Sequence, residues 1–258
     1  MSRSVRVLTS ILALASLPLA VLAAQTPAPD SALANITARV EKSALSDDAP
    51  GMKQQRTELL RLLAAAAPAN APAIRYAIAY VDWRQSTNPA VPGNEQNQLL
   101  DEAEQQLKEL LKAQPQSAEA LALMSSVYGI KIAHSPIKGM FLGSKSTNAI
   151  DSAMKLEPDN PRVLISKGVG KFNAPGMFGG SEKEAEALVR KAIDKLAAEP
   201  ADKPFPAWGR FDAHVWLGQI LAKKGDKDGA RAEYAKALEV APQSGWVRFV
   251  LIAALDKR

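Results

Sequence analysis

Residues able to do acid–base, nucleophilic or metal chemistry are few in this chain and scattered. Two histidines exist, His134 and His214. They stand far apart, and neither sits in an H-x-x-x-H or H-E-x-x-H setting that would aim two imidazoles at one metal. There is no cysteine, which excludes disulfides, thiolate metal sites, a thiol nucleophile and lipid attachment at an N-terminal cysteine. No G-x-S-x-G elbow is present. The carboxylates are interleaved with lysines, as in Glu182, Lys183, Glu184 and Glu186, the pattern of a solvated helix face. The expectation is no catalytic residue, no metal site, no cofactor and no enzymatic activity. His214 is expected to be a packed, hydrogen-bonded histidine.

One motif recurs. Gly139-Met140-Phe141-Leu142-Gly143-Ser144 returns as Gly176-Met177-Phe178-Gly179-Gly180-Ser181, 37 residues later. It is not a phosphate loop, because no G-K-[S/T] follows and no strand precedes. Each copy is expected to be a loop between two helices, preceded by Pro136 or Pro175. Ser181 with Glu184 reads as a capping box that starts the next helix, and Ser144 is expected to do the same. Met140, Phe141, Met177 and Phe178 have two readings. They tuck back over their helices, with glycines allowing the tight turns, or they form an apolar lip that holds a partner's apolar side chain.

The elements that position these residues are helices. Apolar residues make up 47% of the chain but aromatics only 5%. Alanine-rich, aromatic-poor composition favours closely packed helices over sheets. Residues 1–24 form a basic start (Arg3, Arg6), an apolar run from Val7 to Leu22 broken by Pro18, and a small-residue end. That is the layout of a cleaved Sec-type signal peptide, so the mature chain is expected in the periplasm, without a stable membrane span. Loss of Arg3 and Arg6 takes the formal charge from +5 to about +3. The remaining charge is mixed along the helices, which argues against a nucleic-acid partner.

From Phe211 to Ser244 a helix pair is written out. His214, Leu217, Gly218 and Leu221 mark one face of the first helix, and Ala230, Tyr234 and Ala237 mark the second. Gly225 and Asp226 make the turn between them, and Pro242 stops the second helix. Small residues at Gly218, Ala230 and Ala237 let the helices approach, and the larger ones fill the gaps. Similar pairs precede it at 71–115, 118–158 and 161–197. The first has helices at Ala71–Arg84 and Leu99–Ala113, with a turn at Asn88–Asn94. A Pro-rich connector, Ala198–Pro206, leads to the last pair. Within 25–70, Ser31–Leu45 and Pro50–Ala67 read as an N-terminal helix pair, and 245–258 as a C-terminal capping helix, Gly245–Lys257.

The unit 211–244 resembles the tetratricopeptide repeat family in length and in the residues just named, with His214 and Leu221 where the family carries large or aromatic residues. The resemblance implies an all-α, right-handed α-solenoid of antiparallel helix pairs, about four to five repeats plus the cap. The competing architecture is a single closed helical bundle. It also implies a concave groove lined by the first helix of each pair, for a protein or peptide partner. Carried onto this chain, the groove positions are Arg75, Asp82 and Trp83; Glu119, Ser126 and Ile130; Arg162, Ile165, Phe172 and Asn173; and Asp212, Gln219 and Lys223. The set lacks the carboxylate clamp of chaperone-binding repeats. The function so implied is an interaction scaffold in the cell envelope that binds a peptide or helix. The alternative is a ligand-binding accessory protein of a solute transporter.

Overall fold

The computed structural model describes residues 29–200, 203 and 205–256. The expected signal peptide, the first residues of the 25–70 segment and Lys257 lie outside them. Among the described residues the regular structure is entirely helical. Ten α-helices form five antiparallel pairs: α1 (Pro29–Leu45) with α2 (Ala49–Ala65), α3 (Ala71–Ser86) with α4 (Gly93–Ala113), α5 (Ala118–His134) with α6 (Gly139–Leu156), α7 (Pro161–Asn173) with α8 (Glu182–Ala197), and α9 (Arg210–Lys223) with α10 (Lys227–Val240). A π-helical stretch, Trp246–Leu251, runs into α11 (Ile252–Asp256) and closes the array. Contacts are densest within each pair, then between successive pairs, and the first helices α1, α3, α5, α7 and α9 touch one another in sequence. This is an all-α solenoid, each hairpin covering its neighbour's apolar face.

Local signals set the helix ends. Five helices start on a side-chain cap: Asp48 to the Gly51 amide, Ser117 to Ala120, Asn160 to Arg162, Ser181 to Glu184, and Asp226 to Gly229. Each satisfies an amide with no intrahelical partner. Gly225 takes φ +86° between α9 and α10. Inside the last hairpin, a Cβ on Gly218 would lie 2.3 Å from the Tyr234 ring, so glycine is required for that approach. Ala230 and Ala237 are fully buried.

Two sequence expectations need correction. Helix α4 begins at Gly93, not Leu99, because the side-chain amide of Gln96 ties back to the Asn88 and Val91 carbonyls at 3.0 Å and organises the turn earlier. The first Gly-Met-Phe copy is not a loop. Gly139–Ser144 forms the opening turns of α6, and Ser144 is no cap. The second copy is a short 3-10 turn over Gly176–Phe178, followed by Gly179 at φ +84°. A Cβ on Gly180 would meet the Ala174 carbonyl oxygen at 1.8 Å. Leu142 stands where Gly179 does, and leucine resists the left-handed conformation, so the first copy continues as helix while the second turns.

Candidate partner-binding surface

The first helices α3, α5, α7 and α9 pack in sequence and form the inner wall, and the connector after α8 covers part of it. The connector after α8 brings Phe205 and Trp208 in against α3. Phe205 stands edge-on to Tyr76 and Tyr80, with centroids 5.7 and 5.6 Å away, and Trp208 stacks on Tyr80 at 5.7 Å. The Trp208 indole N–H donates to the Tyr76 hydroxyl at 3.2 Å. Above this cluster lies Arg84. Its Nη1 and Nη2 donate to the two Asp212 carboxylate oxygens at 2.7 Å each. Its guanidinium sits 5.2, 4.9 and 6.0 Å from the ring centroids of Tyr80, Trp83 and Trp208. Its Nε donates to the Tyr80 hydroxyl at 2.9 Å, and that hydroxyl donates to Glu41 Oε2 at 2.8 Å. The network therefore joins α1, α3 and α9, the first, second and last hairpins.

Burial and charge decide how this network titrates. Burial pushes the Glu41 carboxyl up, against the pull of Arg84. Burial opposes the charge on Arg84, yet Asp212, Tyr80 and Glu41 hold its pKa well above the ordinary value. Tyr80 is held well above the usual phenol range, chiefly by burial. Arg84 therefore stays charged and Tyr80 stays a neutral phenol, so the two act as fixed partners that tie the helices together.

The expected groove residues divide into three sets. Asp82, Arg162, Ile165 and Asp212 are buried, so the expectation that they face a free groove is overturned. Asp82 accepts from Arg56 of α2, and burial lifts its carboxyl to about 7 against that guanidinium. Arg162 forks onto Glu199 of the connector at 2.6 and 2.8 Å. Ile165 lies under the connector, its Cδ1 3.1 Å from where a Gly209 Cβ would stand. A second set is held within the wall: Arg75 donates to Gln106 at 2.6 Å, Glu119 accepts from Asn160 at 2.9 Å, and Ser126 lies 3.2 Å from Ser166 Oγ.

The third set is what the connector leaves open. Phe172 packs edge-on against Trp216 at 6.1 Å, with Lys223 Nζ 4.9 Å from its ring centroid. Ile130 and Gln219 are half-buried, and Asn173 is exposed at the end of α7, where its side-chain amide donates to the Val169 carbonyl at 2.9 Å. Trp83 is half-buried in the aromatic cluster. Its indole N–H and the Gln219 side-chain amide nitrogen are buried donors without an acceptor. Gln219 stands two turns along α9 from Asp212, about 10 Å up the same face.

Sequence reasoning missed Glu41, Tyr76, Tyr80, Arg84, Glu199, Phe205, Trp208 and Trp216. The signal for two of them was present: Phe205 and Trp208 are large aromatics in what reads as a linker, and side chains of that size need a place to bury. His214 is hydrogen-bonded to Glu233 at 2.7 Å, as expected, and His134 to Asn97 at 3.1 Å. No group of three or more metal-ligating side chains occurs among the described residues, and no described helix is long and apolar enough to cross a membrane. The Gly-Met-Phe side chains do not tuck back. Met140, Phe141, Met177 and Phe178 are 79%, 69%, 85% and 74% exposed.

Comparisons with known proteins agree with this architecture. A tetratricopeptide repeat family model matches residues 211–244, the register read from the sequence. No curated protein matches the chain. Among solved structures, the HusA haemophore from Porphyromonas gingivalis is similar, with TM-score 0.64 and 21% identity over 77% of this chain and 96% of that one. A thermophilic TPR protein from Thermus thermophilus superposes with TM-score 0.61 and 17% identity, over 88% of this chain and 98% of its own. At these identities the likeness shows the fold. The chain carries a tetratricopeptide repeat on a tetratricopeptide-type solenoid, an architecture that suggests a scaffold for protein interaction.

Proposed function

We propose that this tetratricopeptide-repeat protein is a non-enzymatic scaffold of the cell envelope that holds an extended segment of a partner protein. The segment lies on the part of the inner wall that its own connector leaves open. The surface consists of Ile130, Phe172, Asn173, Trp216, Gln219 and Lys223, with Trp83 at its border. The observation that carries this reading is the Phe172–Trp216 aromatic pair with Lys223 over the Phe172 ring, bordered by two unanswered donors, Trp83 Nε1–H and the Gln219 amide; Gln85 Nε2 and Arg162 Nε are further unanswered donors on α3 and α7. Buried donors are nearly always satisfied, and a peptide backbone offers carbonyl acceptors at every residue. Phe172 and Trp216 supply aromatic anchor area, and Lys223, paired with Glu182 at 3.0 Å, borders it. Placement in the envelope rests on the layout of residues 1–24.

A similar fold carries a haemophore. Here both histidines are engaged away from the inner surface, on Asn97 and Glu233, so the protein-segment reading is the one preferred over a small ligand. The test is a photo-crosslinking residue placed at Trp216 in cells, with Lys108 on the outer face as the control position. A discrete protein adduct at position 216 and none at 108, lost on Trp83→Phe with Gln219→Leu, is expected. Trp83→Phe keeps the ring packing while removing the donor. Equal labelling at both positions, or an adduct indifferent to the loss of both donors, refutes the reading.

A further inference from the structure

Of the six most exposed large apolar side chains among the described residues, five lie on one edge of the solenoid: Ile137, Met140, Phe141, Met177 and Phe178. All five belong to the junctions α5–α6 and α7–α8. Because α5 and α7 are successive first helices packed side by side, their C-terminal ends share that edge. The same edge is poor in negative charge. No Asp or Glu occurs from Ala120 to Ile150 or from Asn160 to Ser181. Glu182 and Glu184, next along, are bound to Lys223 at 3.0 Å and Lys171 at 2.7 Å. Lys138, Lys145 and Lys183 make no ion pair among the described residues. Exposure at Met177 and Phe178 is imposed by the backbone, since Gly179 at φ +84° and the close approach at Gly180 fix the turn that projects them.

We propose that this edge docks on an anionic lipid surface, with the Met-Phe tips entering the interface and the three lysines facing the headgroups. A protruding set of apolar tips, rather than a concavity, suits a fluid surface better than a folded partner with fixed knobs. Apolar insertion combined with basic residues is also the two-signal combination that makes peripheral binding stable. Each lysine near such a surface contributes about a fivefold increase in partitioning. The proposal goes beyond the inner-wall reading and does not depend on it.

The test is sedimentation of the chain from residue 25 onward, which retains every described helix, with vesicles of phosphatidylcholine alone or containing one quarter phosphatidylglycerol. Removing residues 1–24 prevents their apolar run from binding by itself. Binding to the anionic vesicles that weakens in 0.5 M salt is expected. Phe141→Ser with Phe178→Ser should lower the partition coefficient at least about tenfold. Lys138→Gln, Lys145→Gln and Lys183→Gln together should lower it by about two orders of magnitude. The substituted side chains are solvent-facing, so helical circular dichroism stays unchanged and reports that the variants fold. Equal pelleting with both vesicle types, or full binding by the Phe variant, overturns the proposal.

Discussion

Arg84 and Asp212 are 128 residues apart, in an architecture whose contacts are otherwise mostly between neighbouring hairpins, and this makes them the most informative pair to break. Their side chains are 15% and 9% exposed, with two parallel hydrogen bonds. Removing one member of a buried pair leaves an uncompensated charge and costs about 3–5 kcal/mol. For Asp212→Asn the lower end applies, because Arg84 keeps the Tyr80 hydroxyl and three ring faces, each ring worth about 0.5–1 kcal/mol. Arg84→Met strands the Asp212 carboxylate with fewer alternatives, so a similar or larger loss is expected. The double variant Arg84→Met with Asp212→Leu removes both charges and should fall within about 1 kcal/mol of the parent, so the two single losses are expected to be strongly non-additive. In urea, with a slope of roughly 2–3 kcal/mol/M, Asp212→Asn should lose roughly 1–1.5 M in midpoint and Arg84→Met at least as much. The assay is urea unfolding followed by circular dichroism, with Trp fluorescence reporting the aromatic cluster. Because the pair links distant hairpins, the two probes should separate in Asp212→Asn, as the array loses its long-range tie. Single variants costing under about 1 kcal/mol and adding in the double would refute the idea that this pair closes the array.

Other outcomes follow from the same geometry. Gly218→Ala should cost about 1–3 kcal/mol in urea unfolding, because its Cβ would stand 2.3 Å from the Tyr234 ring; a neutral result would show that α9 and α10 can separate freely. Gly180→Ala should destabilise more than Gly143→Ala at the matching place in the first copy, since a Cβ meets the Ala174 oxygen at 1.8 Å in one and nothing within 4 Å in the other; a thermal melt ranks them. Asp82 provides a pH test. Its folded pKa is raised to about 7 from 3.8, so the folded state holds a proton that the unfolded chain has already released. Its contribution to stability therefore falls as pH rises from about 4 to about 7, by at most about 4 kcal/mol. Asp82→Asn lacks that slope, so its urea midpoint should gain on the parent between about pH 4.5 and 7.5, and parallel curves would contradict the assignment.

The helix pairs were legible because their determinants are local. Gly218, Ala230, Tyr234 and Pro242 each act inside one hairpin, and the caps Asp48, Ser117, Ser181 and Asp226 act within three residues. The candidate surface was legible only in part, because periodicity tells which helix face points inward but not what fills the inside. Asp82 and Arg162 occupy inward-reading positions yet are consumed by Arg56 and Glu199, partners that no spacing rule connects to them. The Gly-Met-Phe pair shows the same limit at shorter range. Two nearly identical hexapeptides adopt different backbones because one position is Leu142 in the first and Gly179 in the second, and the free energy of a single left-handed residue decides the outcome.

The way the connector packs on α3 also suggests the chemistry of the proposed partner segment. Residues 205–209, which carry Phe205 and Trp208, are non-helical. Aromatic rings anchor the connector, together with the hydrogen bond from Trp208 to Tyr76 and those that Glu199 accepts from Arg162 and Arg210. Its mode of docking combines aromatic anchors on Tyr76 and Tyr80 with a charged fork onto Glu199. On the open part of the wall, Phe172, Trp216 and Lys223 repeat that combination of ring surface and cation. An incoming segment with aromatic or aliphatic anchors and a carboxylate near them would therefore extend along the path the connector already follows. Transplanting the connector's own sequence, Glu199 through Gly209, into a free peptide gives a direct competitor. It should reduce the adduct at position 216, and an adduct untouched by millimolar peptide would mean that the open wall recognises something of different chemistry.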